Sequence, residues 1–425
     1  MKIALVTEVS PLYVNGVSRT IVRLLDHLTE QGHEVVVFGP DSGHYKNVRL
    51  VGTFGVPLFF YPELKFNFAT PSMVYQLRQY QPEIIHFVDP NLLGPQMLVW
   101  CKMFLPHVPR IASYHTNIAL YATMFGFSYL YEPIWWTMRM YHGACRKTLC
   151  PSHSTKAALV ANGIPAEKVG IWTRGVEMAM FNPERRNMQL REKWLCAGKP
   201  TLQSNSSTSS LLRRASNEDE GVSFGLQDPE DKLIILYVGR ISWEKNIQVL
   251  VEAYKGMNHE QVHLVIVGDG PAKASIQGQL RSADVTFTGY LRGEELAEAY
   301  ASADIFAFPS KSETFGQVVL EAQASALPCV IMDAEGVSEI VEGEVSGIIT
   351  PLPANMDQAD SVEVQEAFRA NIERLVDNPV LREKMSRNAV ARAQKFSWYE
   401  AMQACVDAYA DTIVDAQMET NTSIV

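Results

Sequence analysis

The chain has 425 residues, with 37 Lys and Arg against 47 Asp and Glu and a net charge of −10. That length exceeds one ordinary core and points to two domains, and the acidic balance excludes a general nucleic-acid binder, which needs a basic footprint. A hydrophobic share of 47% with 20% charged residues belongs to a globular protein in water, and no apolar run approaches the roughly 18 residues that would span a bilayer.

The first strand is expected at Ile3–Val6, early enough to leave no room for a leader peptide. The six cysteines (Cys101, Cys145, Cys150, Cys196, Cys329, Cys405) lack CxxC or metal-ligand spacing and fit a reducing compartment, so the expected location is the cytoplasm, including the surface of a membrane. Asn15-Gly16-Val17 then leads into a helical pattern at Ile21, Leu24, Leu25 and Leu28. Gly16 is either a plain turn residue or one that lets the backbone approach a phosphate or sugar closely. Strands expected at Glu34–Phe38, Ile84–Phe87, Arg110–Ser113, Thr148–Cys150 and Val169–Trp172 alternate with helical patterns, which reads as βαβ units on a parallel sheet.

His115 follows one of these strands, where a cleft would open, although a lone histidine is commonly structural. Between Tyr121 and Tyr141 stand eight aromatics (Tyr121, Phe125, Phe127, Tyr129, Tyr131, Trp135, Trp136, Tyr141), with Arg139, Arg146 and Lys147 among or after them. Rings with cations suit a lipid acceptor or a membrane interface, and a buried core helix accounts for the same pattern.

The polar tract from Thr201 to Ser210, continued by polar and acidic residues to Asp231, is expected to be a disordered insertion beside the interdomain linker. Within it Arg213-Arg214-Ala215-Ser216 has the shape of a basic-directed kinase site, or is a chance match in a Ser-rich tract. Strand and helix alternation restarts at Leu233–Val238 and continues through Val262–Val267, Val285–Phe287, Ile305–Phe308 and Cys329–Met332, with helices from about Asn355 onward. The expected division is 1–199, an insertion at 200–231, a second domain at 232–375 and closing helices at 376–425.

Two segments carry the chemistry. Leu233–Val238 enters Gly239-Arg240-Ile241-Ser242-Trp243-Glu244-Lys245 and then a helix, so two cations bracket a strand-to-helix turn and can converge on a diphosphate. After Ile305–Phe308, the segment Glu313-Thr314-Phe315-Gly316-Gln317-Val318-Val319-Leu320-Glu321 sets two carboxylates eight residues apart across a turn into a helix. A helix entered through Phe315-Gly316 directs free N–H groups and its positive end at a ligand outside the strand. The rival is a glycosidase pair, whose carboxyls stand roughly 5 to 10 Å apart. Eight residues of pure helix give about 12 Å, and a partly looped interval less. No DxD triplet ends a strand, the acidic clusters at Glu218-Asp219-Glu220 and Asp228 to Asp231 lying in the insertion, so no metal site is assigned. No GxGxxG follows the first strand, which counts against a dinucleotide oxidoreductase.

These segments, with Asn15 to Thr20, Ser113-Tyr114-His115-Thr116, Pro151-Ser152, Arg174-Gly175-Val176-Glu177, Val267-Gly268-Asp269-Gly270-Pro271 and Leu296 to Pro309, resemble the retaining glycosyltransferases of family 4 nearly end to end. Asn15 stands where many members have a first glycine. The resemblance implies an α/β fold of the GT-B type, two doubly wound Rossmann-like domains facing a cleft, whose final helices cross back to brace the N-terminal domain. It also implies metal-independent hexose transfer from a nucleotide diphosphate sugar, with no cofactor beyond that donor. By matched position, Arg240 and Lys245 would meet the diphosphate, Glu321 the ribose, and the Leu291 backbone the base. Gly16 and Gly268 would belong to the donor site, Glu313 with the Phe315/Gly316 backbone would lie beside the sugar, and His115 would touch the sugar from the opposite side.

Within the family, the opening segment and Glu313 to Ser325 resemble GDP-mannose-dependent α-mannosyltransferases. Ser113 through Tyr141 resembles sulfoquinovosyl-diacylglycerol synthases at least as much, which would make the donor a UDP-sugar and the product a glycolipid. The expected partners are the donor and a lipid or glycan acceptor, with peripheral membrane contact and no nucleic acid. A sugar-nucleotide epimerase or a non-catalytic binding protein of the same fold is the alternative from another class.

Overall fold

The computed structural model describes residues 1–12, 16–58, 61–88, 92–196, 232–281 and 284–422. Asn15 and the expected insertion, with its kinase-like Ser216 and its acidic clusters, lie outside them.

The N-terminal half supplies β1 (Lys2–Val6), β2 (Glu34–Gly39), β3 (Gly43–Tyr45), β4 (Val48–Gly52), a separate hairpin of β5 (Gly55–Leu58) and β6 (Tyr61–Asn67), then β7 (Ile84–Phe87), β8 (Arg110–Ser113), β9 (Lys147–Cys150) and β10 (Val169–Ile171). Eight of these form one sheet in the order β10-β9-β8-β7-β1-β2-β4-β3, parallel except for the edge strand β3. The C-terminal half supplies β11 (Leu233–Val238), β12 (Val262–Val267), β13 (Val285–Gly289), β14 (Ile305–Phe308), β15 (Cys329–Met332) and β16 (Gly347–Thr350). They form an all-parallel sheet in the order β13-β12-β11-β14-β15-β16.

Every residue of β11 and β12 is buried, as runs that are apolar but for His263 require when helices cover both faces of a parallel sheet. In each sheet the first strand lies inside the sheet and the connections diverge beside it, which opens a crevice at the strands' carboxyl ends. Five strands escape the sequence reading. β3 to β6 lie between residues 43 and 67, where the runs are short and polar or interrupted by proline, and β16 is a four-residue edge.

The chain crosses between the halves at two adjacent points. Val176 N–H donates to the Phe396 carbonyl at 3.1 Å, and a Cβ on Gly175 would stand 2.1 Å from the Trp398 nitrogen, so the two crossings pack backbone against backbone. Phe181 and Trp194 already belong to the C-terminal core, as do Met385 and Ala393 of the helix Pro379–Ala393. The helix Trp398–Thr422 returns to the N-terminal half, where Met402, Cys405 and Tyr409 pack with Ile3, Leu5 and Leu24. Among the described residues no helix is long and apolar enough to cross a membrane.

Candidate active site

At the carboxyl end of β11 the chain turns through Gly239 and Arg240 into the short helical turn Trp243–Lys245. Arg240 is exposed at the rim, whereas Lys245 points inward. Its Nζ lies 2.7 Å from Glu313 Oε1, donates to the Ser312 carbonyl at 3.3 Å, and stands 3.4 Å from the Tyr121 hydroxyl of the N-terminal half. Burial pulls the Lys245 ammonium down, but Glu313 and then Tyr121 outweigh it, so the amine stays protonated. Ser310 Oγ donates to the same Glu313 oxygen at 3.0 Å. Gly268, counted from the sequence as a donor contact, has a packing reason of its own. At φ +134°, a Cβ there would stand 2.0 Å from the Gly239 carbonyl oxygen, so glycine lets the turns after β11 and β12 close on one another.

Gly316 caps the helix Gln317–Ala324 at φ +93°, and a Cβ on it would stand 2.3 Å from Val337 Cγ1. Phe315 packs edge-on against Phe396 at 6.2 Å, which fixes the entry into that helix. Glu321 lies in its second turn with only 2% of its side chain exposed. It is ion-paired with Arg19 of the opposite half, and its second oxygen accepts from the Tyr300 hydroxyl at 3.2 Å. Burial raises the Glu321 pKa, with Arg19 the chief counterweight.

His115 follows β8 and is buried. Arg174 Nη2 donates to its Nδ1 at 2.6 Å; an arginine only donates, so the imidazole is neutral there and its Nε2–H turns to Ser113 Oγ at 2.8 Å. Ser113 Oγ also receives His86 Nε2 at 2.9 Å and donates to the Val88 carbonyl, while the Tyr409 hydroxyl lies 2.6 Å from His86 Nδ1. Burial first and Arg174 second hold the His115 pKa well below the usual imidazole range. Both ring nitrogens are therefore taken inside the N-terminal half, and the part of His115 that meets the other half is its carbonyl, which accepts from Thr314 Oγ1 at 2.8 Å.

His115, Asn117, Tyr121, Ser312, Glu313 and Glu335 line a cleft between the halves. Asn117 and Glu335 were not singled out by sequence. Glu335 follows β15 and precedes Gly336 and a helix, repeating the strand–glycine–helix pattern of the other two segments, which was the available signal. Its carboxylate accepts from Thr155 Oγ1 at 2.6 Å, and burial pushes its pKa up. Nearby, Glu339 accepts from the His153 and Ser154 amides at the N-terminus of the helix His153–Ala161, at 2.8 and 2.5 Å. The structure thus brings Lys245, Glu313 and His115 to one cleft, with Phe315 and Gly316 following Glu313. Gly16 opens the helix that carries Arg19 to Glu321, and Leu291, just after β13, packs on the edge of the C-terminal core.

The aromatic segment divides by face. Trp135 and Tyr141 are buried, whereas Phe125, Phe127, Tyr129, Tyr131 and Trp136 are exposed, and Tyr121 lines the cleft. Its cations are not reserved for lipid: Arg139 pairs with Glu132, Arg146 with Glu419 and Lys147 with Asp411.

Two doubly wound domains meeting at the carboxyl ends of their sheets are the GT-B architecture. Sucrose-phosphate synthase from Thermosynechococcus elongatus shares the fold with a TM-score of 0.72 over 97% of this chain and 99% of that one, at 18% identity. Residues 220–392 match the family described as Glycosyl transferases group 1, and residues 14–179 match Glycosyltransferase Family 4. A GDP-mannose-dependent alpha-mannosyltransferase of Mycobacterium tuberculosis is 34% identical over 83% of this chain and 84% of its own length. Sulfoquinovosyl transferase SQD2 of Arabidopsis thaliana is 30% identical over 94% of this chain and 71% of its own. The chain belongs to glycosyltransferase family 4.

Proposed function

We propose that this glycosyltransferase moves a hexose, with mannose from GDP-mannose the favoured donor, to a hydroxyl of a lipid or glycan acceptor with retention of anomeric configuration. The observation that carries the reading is the Lys245–Glu313 pair at the floor of the interdomain cleft, one turn from the N-terminus of the helix Gln317–Ala324. An anionic diphosphate suits a protonated Lys245, the exposed Arg240 and that helix end. Glu321 is read as the ribose contact, Leu291 as the lining of the base, and Gly16 as the close approach from the opposite domain. Glu313 lies beside the sugar.

In this reading the diphosphate departs as Lys245 and Arg240 take up its growing charge. The acceptor hydroxyl attacks the oxocarbenium-like carbon from the same face and gives its proton to the departing phosphate oxygen. His115 serves as a wall of the sugar pocket, since a neutral imidazole with both nitrogens engaged offers no proton. No metal enters the scheme. The exposed rings from Phe125 to Trp136 support a lipid acceptor, and with it contact with a membrane surface, because Phe125 stacks on Tyr121 of the cleft wall at 6.4 Å and is itself exposed.

A second reading, a UDP-sugar and a glycolipid product, is supported by the similarity to the sulfoquinovosyl transferase along most of the chain. A donor screen tests both. Purified protein is given GDP-mannose, UDP-glucose and UDP-sulfoquinovose, each with diacylglycerol or a simple sugar acceptor, and the product's anomeric configuration is read by NMR. Transfer from GDP-mannose with retention supports the first reading, and transfer from a UDP-sugar alone replaces it with the second. Donor converted to an epimer without acceptor, or bound without turnover, defeats both.

A further inference from the structure

We propose that Arg19 is a donor-binding residue supplied by the N-terminal domain, one that covers the ribose seat at Glu321 in the closed chain and passes to the donor's diphosphate when a nucleotide enters. The proposal rests on the reading of Glu321 as the ribose contact. Arg19 stands in the first turn of the helix Gly16–Glu30, and Glu321 lies 302 residues further on, in the other domain. The Glu321 side chain is 2% exposed and that of Arg19 42%. With Arg19 on one carboxylate oxygen, Tyr300 on the other, Gln317 also bonded to the group and only 2% of the side chain exposed, a ribose diol has no open path to Glu321 until a covering partner leaves.

Tyr300 is fixed. It is fully buried and packs against Phe181 at 5.7 Å and Phe306 at 5.8 Å. Arg19 is half in solvent, on a long flexible stem, and belongs to the domain across the cleft, so it is the group that moves. A guanidinium keeps its charge wherever it goes, so on leaving Glu321 it turns to water or to another anion, and a diphosphate is the stronger partner. The first turn of its own helix contains no acidic residue to receive it. The N-terminus of the helix Gln317–Ala324, where the diphosphate is expected, lies about 7 Å from Glu321 along the helix axis, within the sweep of an arginine side chain. The donor thus presents both halves of the exchange, a diol for Glu321 and a diphosphate for Arg19.

The test exploits the opposite signs this requires. Calorimetric affinities are measured for guanosine and GDP, and for uridine and UDP, on the unaltered chain and on Arg19→Ala, Arg19→Lys and Glu321→Gln. Arg19→Ala is expected to tighten the nucleoside about 5-fold, because a competitor for Glu321 is gone. The same variant is expected to weaken the matching diphosphate about 10-fold, the scale of one charge-assisted contact. Arg19→Lys should fall between. Shifts of the same sign for nucleoside and diphosphate, or no shift in either, overturn the exchange. Glu321→Gln separates the two ideas: if it leaves nucleoside affinity unchanged, the ribose reading falls and the exchange with it. If it weakens the nucleoside while Arg19→Ala fails to split the signs, only the role of Arg19 falls.

Discussion

Replacing Lys245 with Met, Glu313 with Gln, and both together asks whether the floor of the cleft behaves as one electrostatic unit. The two side chains are 16% and 18% exposed and meet at 2.7 Å. Removing one partner of a buried pair costs about 3–5 kcal/mol, since it strands the other charge. Residual exposure and the bonds that Ser310 and the Ser312 carbonyl continue to make reduce this to about 2–4 kcal/mol for either single variant. In the double variant no charge is stranded, so its loss should fall short of the sum by about 2 kcal/mol. Urea unfolding of the C-terminal domain, followed through the buried Trp194, measures the cycle. Losses that add to within about 0.5 kcal/mol would refute the pairing, because uncoupled sites add to that tolerance.

Arg240→Ala should lower turnover about 10²-fold with the fold intact, the scale of one transition-state charge contact; a near-normal rate removes it from the diphosphate. Gly316→Ala should destabilise the C-terminal domain by about 2–4 kcal/mol, from the left-handed conformation and the overlap with Val337, and Val337→Ala in the same chain should restore part of the loss; a melting temperature within a degree of the original contradicts this. The buried neutral histidines set a pH dependence. Burial lowers His86 and His142 to about 3, so below the unfolded value of about 6.5 the unfolded chain binds protons first and stability falls as pH falls. Each contributes up to about 1.4 kcal/mol per pH unit in that window, and a urea midpoint unchanged between pH 7 and 5 would contradict their burial as neutral rings.

The two sheets were legible because their strands are long apolar runs with a clear beginning, as at Leu233–Val238 and Val262–Val267, and burial on both faces leaves such runs little choice. The edge strand β3 was not, since Gly43-His44-Tyr45 is held by its pairing with β4 and carries no pattern of its own. The same contrast runs through the site. Lys245 and Glu313 were visible because each sits at a turn whose local order already implies a ligand. Asn117 was not, because its position in the cleft depends on how the domains meet, whereas Glu335 carried the same strand–glycine–helix signal and went unread. His115 was found by position, but the contacts that decide its chemistry come from Arg174 and Ser113, at distances only the fold determines.

The polar character of the domain interface bears directly on turnover. Three carboxylates of the C-terminal domain, Glu321, Glu335 and Glu339, end on partners from the N-terminal domain: a guanidinium, a hydroxyl and two helix-end amides. Each partner can be rehydrated when the cleft opens, at much smaller cost than separating an apolar seam. The charge cluster inside the C-terminal core is of another kind. Asp304 is buried, accepts from Arg191, Arg186 and the Ile234 amide, and keeps its pKa low despite burial because the two guanidinia outweigh it. Rigid charges thus lie within a domain and exchangeable ones between domains. That distribution suits the proposed transfer, in which the cleft would admit a donor, close over it to exclude water, and release the product again.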